Sequence, residues 1–364
     1  MFKRVAIIGV GLIGGSLGMA LKRLGLAEEV LGIGRDHEKL RLALELGAVD
    51  RVTADLKDVS GAALVIVATP VSAVIPVVTE AAGDFEPGTI VTDVGSVKAG
   101  IVNALQPIAQ AHRFHFVGGH PMAGSERTGV KNADPYLFEN AYYVLTPAAE
   151  TDRGALEAVS KMAAAVGARV IELSPEEHDR YVAAVSHLPH CVAAALVNTI
   201  AELPEREAVL PLAAGGFRDS TRVAAGDPGM WRDIVIANRE AILGMIGRYQ
   251  AALASLAALL KTGNGAGAEG WFRKAQALRQ TVPAKSKGYL PELYEIVVTV
   301  PDRPGVIAGL AGILGRHEIN ICDIEILRVR EGEGGTIRLG FAREEDQEEA
   351  VRLLRETGVE TRKR

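Results

Sequence analysis

Cysteine is nearly absent from this chain. Cys191 and Cys322 stand far apart and no cluster has metal-ligand spacing, so neither a disulfide framework nor a zinc site is indicated, and a reducing cytoplasm is the expected setting. A long basic run is missing too. With a net charge of -5 and only the short basic end Arg362-Lys363-Arg364, the chain carries no nucleic-acid footprint. We find no uninterrupted apolar stretch of about 18 residues, and a strand-like run begins almost at the first residue, so neither a membrane span nor a signal peptide is expected. The 40 glycines follow no collagen-like period and mark tight turns instead. What remains is an ordinary globular composition, 48% hydrophobic and 23% charged over 364 residues, long enough for two or three domains.

Phe2 to Ile8 reads as a buried strand running into Gly9-Val10-Gly11-Leu12-Ile13-Gly14 and then into a helix through Leu17 and Lys22. In this strand-turn-helix context GxGxxG is a dinucleotide fingerprint: the glycines make the turn and let a pyrophosphate reach the helix N-terminus. Gly9, Gly11, Leu12, Ile13 and Gly14 are therefore cofactor candidates. The second strand ends at Gly34-Arg35-Asp36. Asp36 could hold ribose hydroxyls or cap the next helix; Gly34 and Arg35 offer the space and the cation that a 2'-phosphate needs, which leans an NAD(P) site toward NADP. Apolar runs at 63–68 and 89–92 alternate with helical segments, the pattern of an α/β, doubly wound parallel sheet. Ligands in such folds bind at the carboxyl ends of strands, which adds Thr69, Pro70, Asp93 and Ser96 to the candidates. Ser96 could equally cap the helix that starts near Lys98.

Next comes Gly118-Gly119-His120-Pro121-Met122-Ala123-Gly124-Ser125-Glu126. A histidine between a glycine pair and a proline is expected on a fixed loop, placed to accept a proton. After strands near 142–145 and 168–173, Ser174-Pro175-Glu176-Glu177 is a capping box opening a region that is nearly all helical to Leu260. In Ser186-His187-Leu188-Pro189-His190 two histidines at i and i+3 would face one way, for a polar ligand, a buried core or, lacking a third ligand, improbably a metal. Gly215 to Arg222 is rich in donors, and Arg218 or Arg222 could fork onto a carboxylate. One helix from Met230 to Leu260 is apolar enough to need cover, which a homodimer would supply. The expected division is a nucleotide domain at 1–173, a helical substrate and dimerisation domain at 174–282 with a short helix at 271–280, a linker at 283–291 and a third unit at 292–364. In that unit, strands and helices follow the order βαββαβ, a ferredoxin-like plan, with Val306, Ile307, Leu310, Ile313 and Leu314 on one helix face.

These motifs together resemble the prephenate dehydrogenase family carrying a C-terminal ACT domain, over essentially the whole length. The resemblance rests on Gly9-x-Gly11-x-x-Gly14, Thr92 to Lys98, Gly118 to Gly124, Ser186 to His190 and Gly215-Gly216-Phe217. It implies that His120 is catalytic, that Ser96 orients it and the substrate, that Arg222 binds a substrate carboxylate and that His190 contacts the substrate. It places His187 and Glu126 in secondary roles and Trp231 at the mouth of the site. The implied reaction is oxidative decarboxylation of prephenate, with arogenate as the nearer alternative and a β-hydroxyacid dehydrogenase as a remoter one. A catalytically silent amino-acid sensor built on the ACT unit is the non-enzymatic rival. The family's frequent ribose-binding aspartate is replaced here by Gly34. Tyrosine is the implied effector, expected at Asp302, Arg303, Pro304 and Gly305, where a loop meets a helix N-terminus.

Overall fold

The computed structural model describes residues 2–124, 128–282, 293–301, 303–327 and 335–363. They fall into two compact units that divide between Gly288 and Tyr289. The first unit is built on strands β1 (Phe2–Ile8), β2 (Ala27–Ile33), β3 (Arg51–Thr53), β4 (Leu64–Val67), β5 (Ile90–Asp93), β6 (His115–Pro121), β7 (Tyr142–Thr146) and β8 (Arg169–Glu172). They form one sheet in the order β3-β2-β1-β4-β5-β6-β7-β8, parallel throughout except where β6 meets β7. Helices α1 (Leu12–Arg23), α2 (His37–Glu45), α3 (Val71–Ala81), α4 (Ala99–His112) and α5 (Arg153–Ala165) connect the strands.

Alternation along β1 explains the doubly wound arrangement. Val5 and Ile7 join a core with Leu17, Leu40 and Val159 of α1, α2 and α5, whereas Ala6 and Ile8 join a second core with Val74 and Val102 of α3 and α4. Both faces are covered, so the strands are apolar on both sides, and each fully buried Leu or Val contributes about 1.5–3 kcal/mol.

The helical region follows in the same unit. Ser174 caps α6 (Pro175–Val182) through the expected capping box with Glu177, and a π-helical turn, Ala183–His187, leads into α7 (Leu188–Ala201). The π turn absorbs Pro189, which has no N-H to give to an α-helical ladder. Then come a single turn α8 (Arg206–Val209), α9 (Gly215–Thr221), a 3-10 turn Arg222–Ala225, α10 (Pro228–Ala237), α11 (Arg239–Lys261) and α12 (Gly265–Thr281). Two expectations change here. The helix expected over 230–260 is broken at Asn238, whose buried side chain is taken up by other elements. The helix expected from Trp271 begins at Gly265, because Asn264 caps it by accepting from the Gly267 amide. The continuous helix Pro175–Ala201 and α11 are, by length and composition, apolar enough to cross a membrane, although neither is an uninterrupted apolar stretch: His187, Pro189 and His190 interrupt the first and Arg248 the second. Leu243, Leu253 and Leu260 of α11 are exposed.

In the second unit β9 (Tyr294–Val300), α13 (Val306–Arg316), β10 (Asp323–Leu327), β11 (Gly335–Phe341), α14 (Glu344–Glu356) and β12 (Glu360–Lys363) realise the βαββαβ order. The sheet is antiparallel, in the order β10-β11-β9-β12. Ile296, Val298, Leu339 and Phe341 pack one face against Leu310, Leu314 and Leu354 of the helices. Ile307, expected on that core face, is exposed. The expected linker at 283–291 lies outside the described residues.

Candidate active site

The strand order reverses between β1 and β4, so a crevice opens outside their carboxyl ends. Gly9 turns there with φ +94°, and a Cβ on it would stand 2.7 Å from the Ala68 carbonyl oxygen, while a Cβ on Gly11 would meet nothing within 4 Å. Only glycine fits at Gly9, and Gly11 leaves its backbone open to a ligand. Helix α1 begins at this point with no side-chain cap and no acidic residue in its first turn, so its N-H groups and dipole are available to a pyrophosphate. Thr69, after β4, has a buried hydroxyl without a hydrogen-bond partner among the described residues. These features fit a dinucleotide. At the end of β2, Arg35 is exposed, and Asp36 caps α2 by accepting from the amides of Glu38 and Lys39, each at 3.1 Å. Those bonds, led by the Lys39 amide, hold the Asp36 carboxyl below its usual range.

Beside this crevice, histidines from four elements meet. His120, expected on a loop, lies near the end of β6, paired with Val144 of β7; the strand holds it because the flanking residues keep their ladder positions up to Pro121. Its Nδ1 is 2.8 Å from Nε2 of His178 on α6, and His178 Nδ1 is 2.8 Å from Asp179 Oδ1. The Asp179 carboxylate accepts from the Lys98 amide at 2.8 Å and the Ala99 amide at 2.9 Å, capping α4 from another helix. Ser96 is therefore not the cap; it stays half-buried in the loop after β5. Asn238 donates to the Asp179 carbonyl oxygen at 2.8 Å and reaches His187 Nδ1 at 3.1 Å. His187 packs edge-on to Trp231 of α10, and His190 stacks on the same indole at 3.5 Å and 16°. Gly226 closes this end, since a Cβ there would lie 2.9 Å from the Trp231 ring nitrogen and 3.1 Å from His190. Arg222, itself exposed, opens the 3-10 turn just before it, a turn packed on α7 and α9.

Burial dominates the electrostatics. His120 is held well below the ordinary imidazole value, first by desolvation and then by the nearby His178, Lys98 and His187. Burial likewise pushes His187 down to about 4 and lowers His190. All three favour the neutral, proton-accepting form near neutral pH. Asp93, expected as a cofactor contact, is turned inward: its carboxylate is fully buried, pairs with Lys98 Nζ and accepts from the amides of Gly95 at 2.9 Å and Gly119 at 3.2 Å. Lys98 Nζ also donates to the Gly119 carbonyl oxygen at 2.8 Å, so the pair anchors the residue next to His120. Glu126 lies outside the described residues.

Comparison with known proteins identifies the family. Residues 17–172 match the family model described as prephenate dehydrogenase, nucleotide-binding domain, residues 174–292 match prephenate dehydrogenase, dimerization domain, and residues 294–357 match the ACT domain. The chain is 38% identical to the prephenate dehydrogenase of Bacillus subtilis over 356 residues, covering 96% of this chain and 95% of that one. The chain belongs to the prephenate dehydrogenase family. Among solved structures of the family, that of the A. aeolicus prephenate dehydrogenase with hydroxyphenyl propionate and NAD+ has a TM-score of 0.74 and 33% identity, covering 78% of this chain and 99% of that one. The Synechocystis arogenate dehydrogenase is also similar, with a TM-score of 0.68 and 31% identity over 77% of this chain and all of that one. Sequence reasoning missed His178, Asp179, Asn238 and the buried Lys98. The pair His178-Asp179 was in view directly after the capping box, but nine residues at 3.6 per turn put His178 and His187 about 180° apart on a regular helix. The π turn between them removes part of that angle.

Proposed function

We propose that this chain oxidises prephenate with NAD(P), releasing carbon dioxide and 4-hydroxyphenylpyruvate. The observation that carries the reading is the position of His120 at the end of β6 beside the dinucleotide crevice, backed by His178 and Asp179 and held by burial below the ordinary imidazole range. The nicotinamide, when bound, supplies the hydride acceptor. His120 takes the proton of the substrate's ring hydroxyl as the hydride leaves the same carbon; the bond to the ring carboxylate then breaks, and its electron pair makes the ring aromatic. Protons balance, because the phenolic oxygen of the product recovers the one His120 took. Ser96 orients His120 and the substrate hydroxyl, Arg222 holds a substrate carboxylate as a charge-assisted pair, and His190, stacked on Trp231, contacts the substrate, with His187 and Glu126 in secondary roles.

In this reading Gly9 to Gly14, Thr69 and Pro70 hold the cofactor, and Arg35 pairs with a 2'-phosphate because Gly34 leaves room and the Asp36 carboxylate is engaged in capping. Rates of cofactor reduction with prephenate and arogenate, each with NAD and NADP, test the assignment directly. Turnover with neither substrate would refute it, and a strong preference for arogenate would favour the activity named for the Synechocystis relative. For the cofactor, Arg35→Ala is expected to weaken NADP by roughly 10-fold or more while sparing NAD, the size of one charge-assisted contact. Loss of NAD instead on Asp36→Ala would give the ribose to Asp36.

The exposed apolar side of α11 is the surface on which a second copy packs, making a homodimer through the helical domain of a cytoplasmic enzyme. The division of labour is nucleotide binding at 1–173, substrate binding and pairing at 174–282, and regulation at 292–364. Arg303, Pro304 and Gly305 are exposed and lead into α13, whose first turn has no side-chain cap; Asp302 lies outside the described residues. Tyrosine is the effector we assign to this loop. It is expected to lower substrate affinity by roughly 5- to 150-fold, the usual range of allosteric coupling, and a chain ending at Gly288 should keep its activity and lose the response. Calorimetry on the full chain showing no tyrosine binding would leave the unit a structural role.

A further inference from the structure

We propose that Asp179 and His178 give the hydrogen-bond chain to His120 a fixed direction, so that Nε2 of His120 alone receives the substrate proton and His178 shares the resulting charge. The proposal rests on the dehydrogenase reading and deepens it. It follows from counting donors. Asp179 accepts two backbone N-H bonds, from Lys98 and Ala99, at the positive end of α4, and an ionised carboxylate is an acceptor only. The proton between Asp179 and His178 therefore sits on His178 Nδ1, 2.8 Å away. A neutral His178 then has a bare Nε2, which must accept from its neighbour at 2.8 Å, Nδ1 of His120. His120 accordingly carries its proton on Nδ1 and leaves Nε2 as the free lone pair. The opposite direction needs either a protonated Asp179, against two amides and the nearby Lys98 ammonium, or a doubly protonated His178, fully buried against Asp179 and the ring of His120.

Direction has a chemical consequence. When His120 Nε2 takes the hydroxyl proton, its Nδ1-H bond to His178 becomes charge-assisted and stronger. The Nδ1 proton can then pass to His178 Nε2, which moves the positive charge next to the Asp179 carboxylate, in the manner of a histidine held by a buried aspartate. The transfer reverses as the ring oxygen of the product is reprotonated, so no proton need enter from solvent. His178 is a positioning residue in this scheme, since it touches His120 and not the reacting atoms.

Two measurements test the proposal on the full-length protein with cofactor bound. In protein labelled with nitrogen-15 at histidine only, the ring nitrogens of His120 and His178, assigned from the signals lost in His120→Asn and His178→Gln, should both show a protonated Nδ1 and a bare Nε2 above neutral pH. A protonated Nε2 on His120, or two protonated nitrogens on His178, overturns the direction. In kinetics, His178→Leu should lower kcat by about 10²-fold, the size of a general-base contribution, with KM and cofactor affinity within about twofold. His178→Gln, which keeps an acceptor for His120 Nδ1 but cannot carry the proton, should recover roughly tenfold of that loss. Equal losses in the two variants, accompanied by weakened cofactor binding, would mean a packing role and defeat the proposal, as would wild-type turnover in His178→Leu. Wild-type turnover with prephenate and arogenate is measured alongside: its absence refutes the dehydrogenase reading, whereas the ring-nitrogen pattern decides the direction of the chain separately.

Discussion

His120→Asn is expected to bind cofactor as the unmodified protein does and to turn over at least about 10²-fold more slowly, because a positioned general base contributes about 10²- to 10⁴-fold. Asparagine keeps a polar group of similar reach at the end of β6, so the β6-β7 pairing at Val144 should survive and the loss should fall on kcat. The pH profile gives a second, independent check. His120 works in its neutral form, and burial with His178, Lys98 and His187 around it holds its pKa well below 6.5. Activity should therefore persist below pH 6.5 and fall only as pH drops through the lowered value. An acid limb centred at or above 6.5 would contradict the enclosed site, and near-normal turnover in the variant would return His120 to a structural part. The same sign applies to stability. Unfolded histidine titrates near 6.5 and buried His187 near 4, so the unfolded state binds the proton first, and stability that is complete above about pH 6.5 is lost progressively toward pH 4.

Lys98→Met should be the most destabilising single change near the site. Lys98 and Asp93 are both fully buried, and their contact lies beside the Gly119 backbone that both of them bond. Removing one partner leaves a buried carboxylate with two amide donors and no cation, a change that costs about 3–5 kcal/mol. Denaturant midpoints of the full chain measure it. Asp93→Asn combined with Lys98→Met should be less destabilised than Lys98→Met alone, because no uncompensated charge is then buried. Turnover should fall as well, since Gly119 is adjacent to His120 and loses the ammonium that fixes its carbonyl oxygen. If Lys98→Met unfolds at the wild-type midpoint, the pair is not the anchor described here.

Much of the architecture was legible along the chain. Strand, glycine turn and helix follow one another within the first 23 residues; an apolar run such as Leu64–Val67, set between helical segments, has the pattern of a strand covered on both faces; and the capping box at Ser174 marks its helix by local chemistry alone. These features are encoded by neighbours in sequence, where periodicity and backbone preference act directly. The histidine motifs were legible as well, but not their company. His120 and His178 are 58 residues apart, Asp179 caps a helix about 80 residues upstream, and Asn238 breaks an otherwise apolar helix to reach His187 and Asp179. Hydrophobic pattern states that a residue faces inward; it does not state which polar group waits there. His120 on a strand, Asp93 turned from cofactor to Lys98, and the π turn that swings His187 toward Asn238 were decided by the tertiary structure, because buried charges and imidazoles must find partners wherever packing brings them.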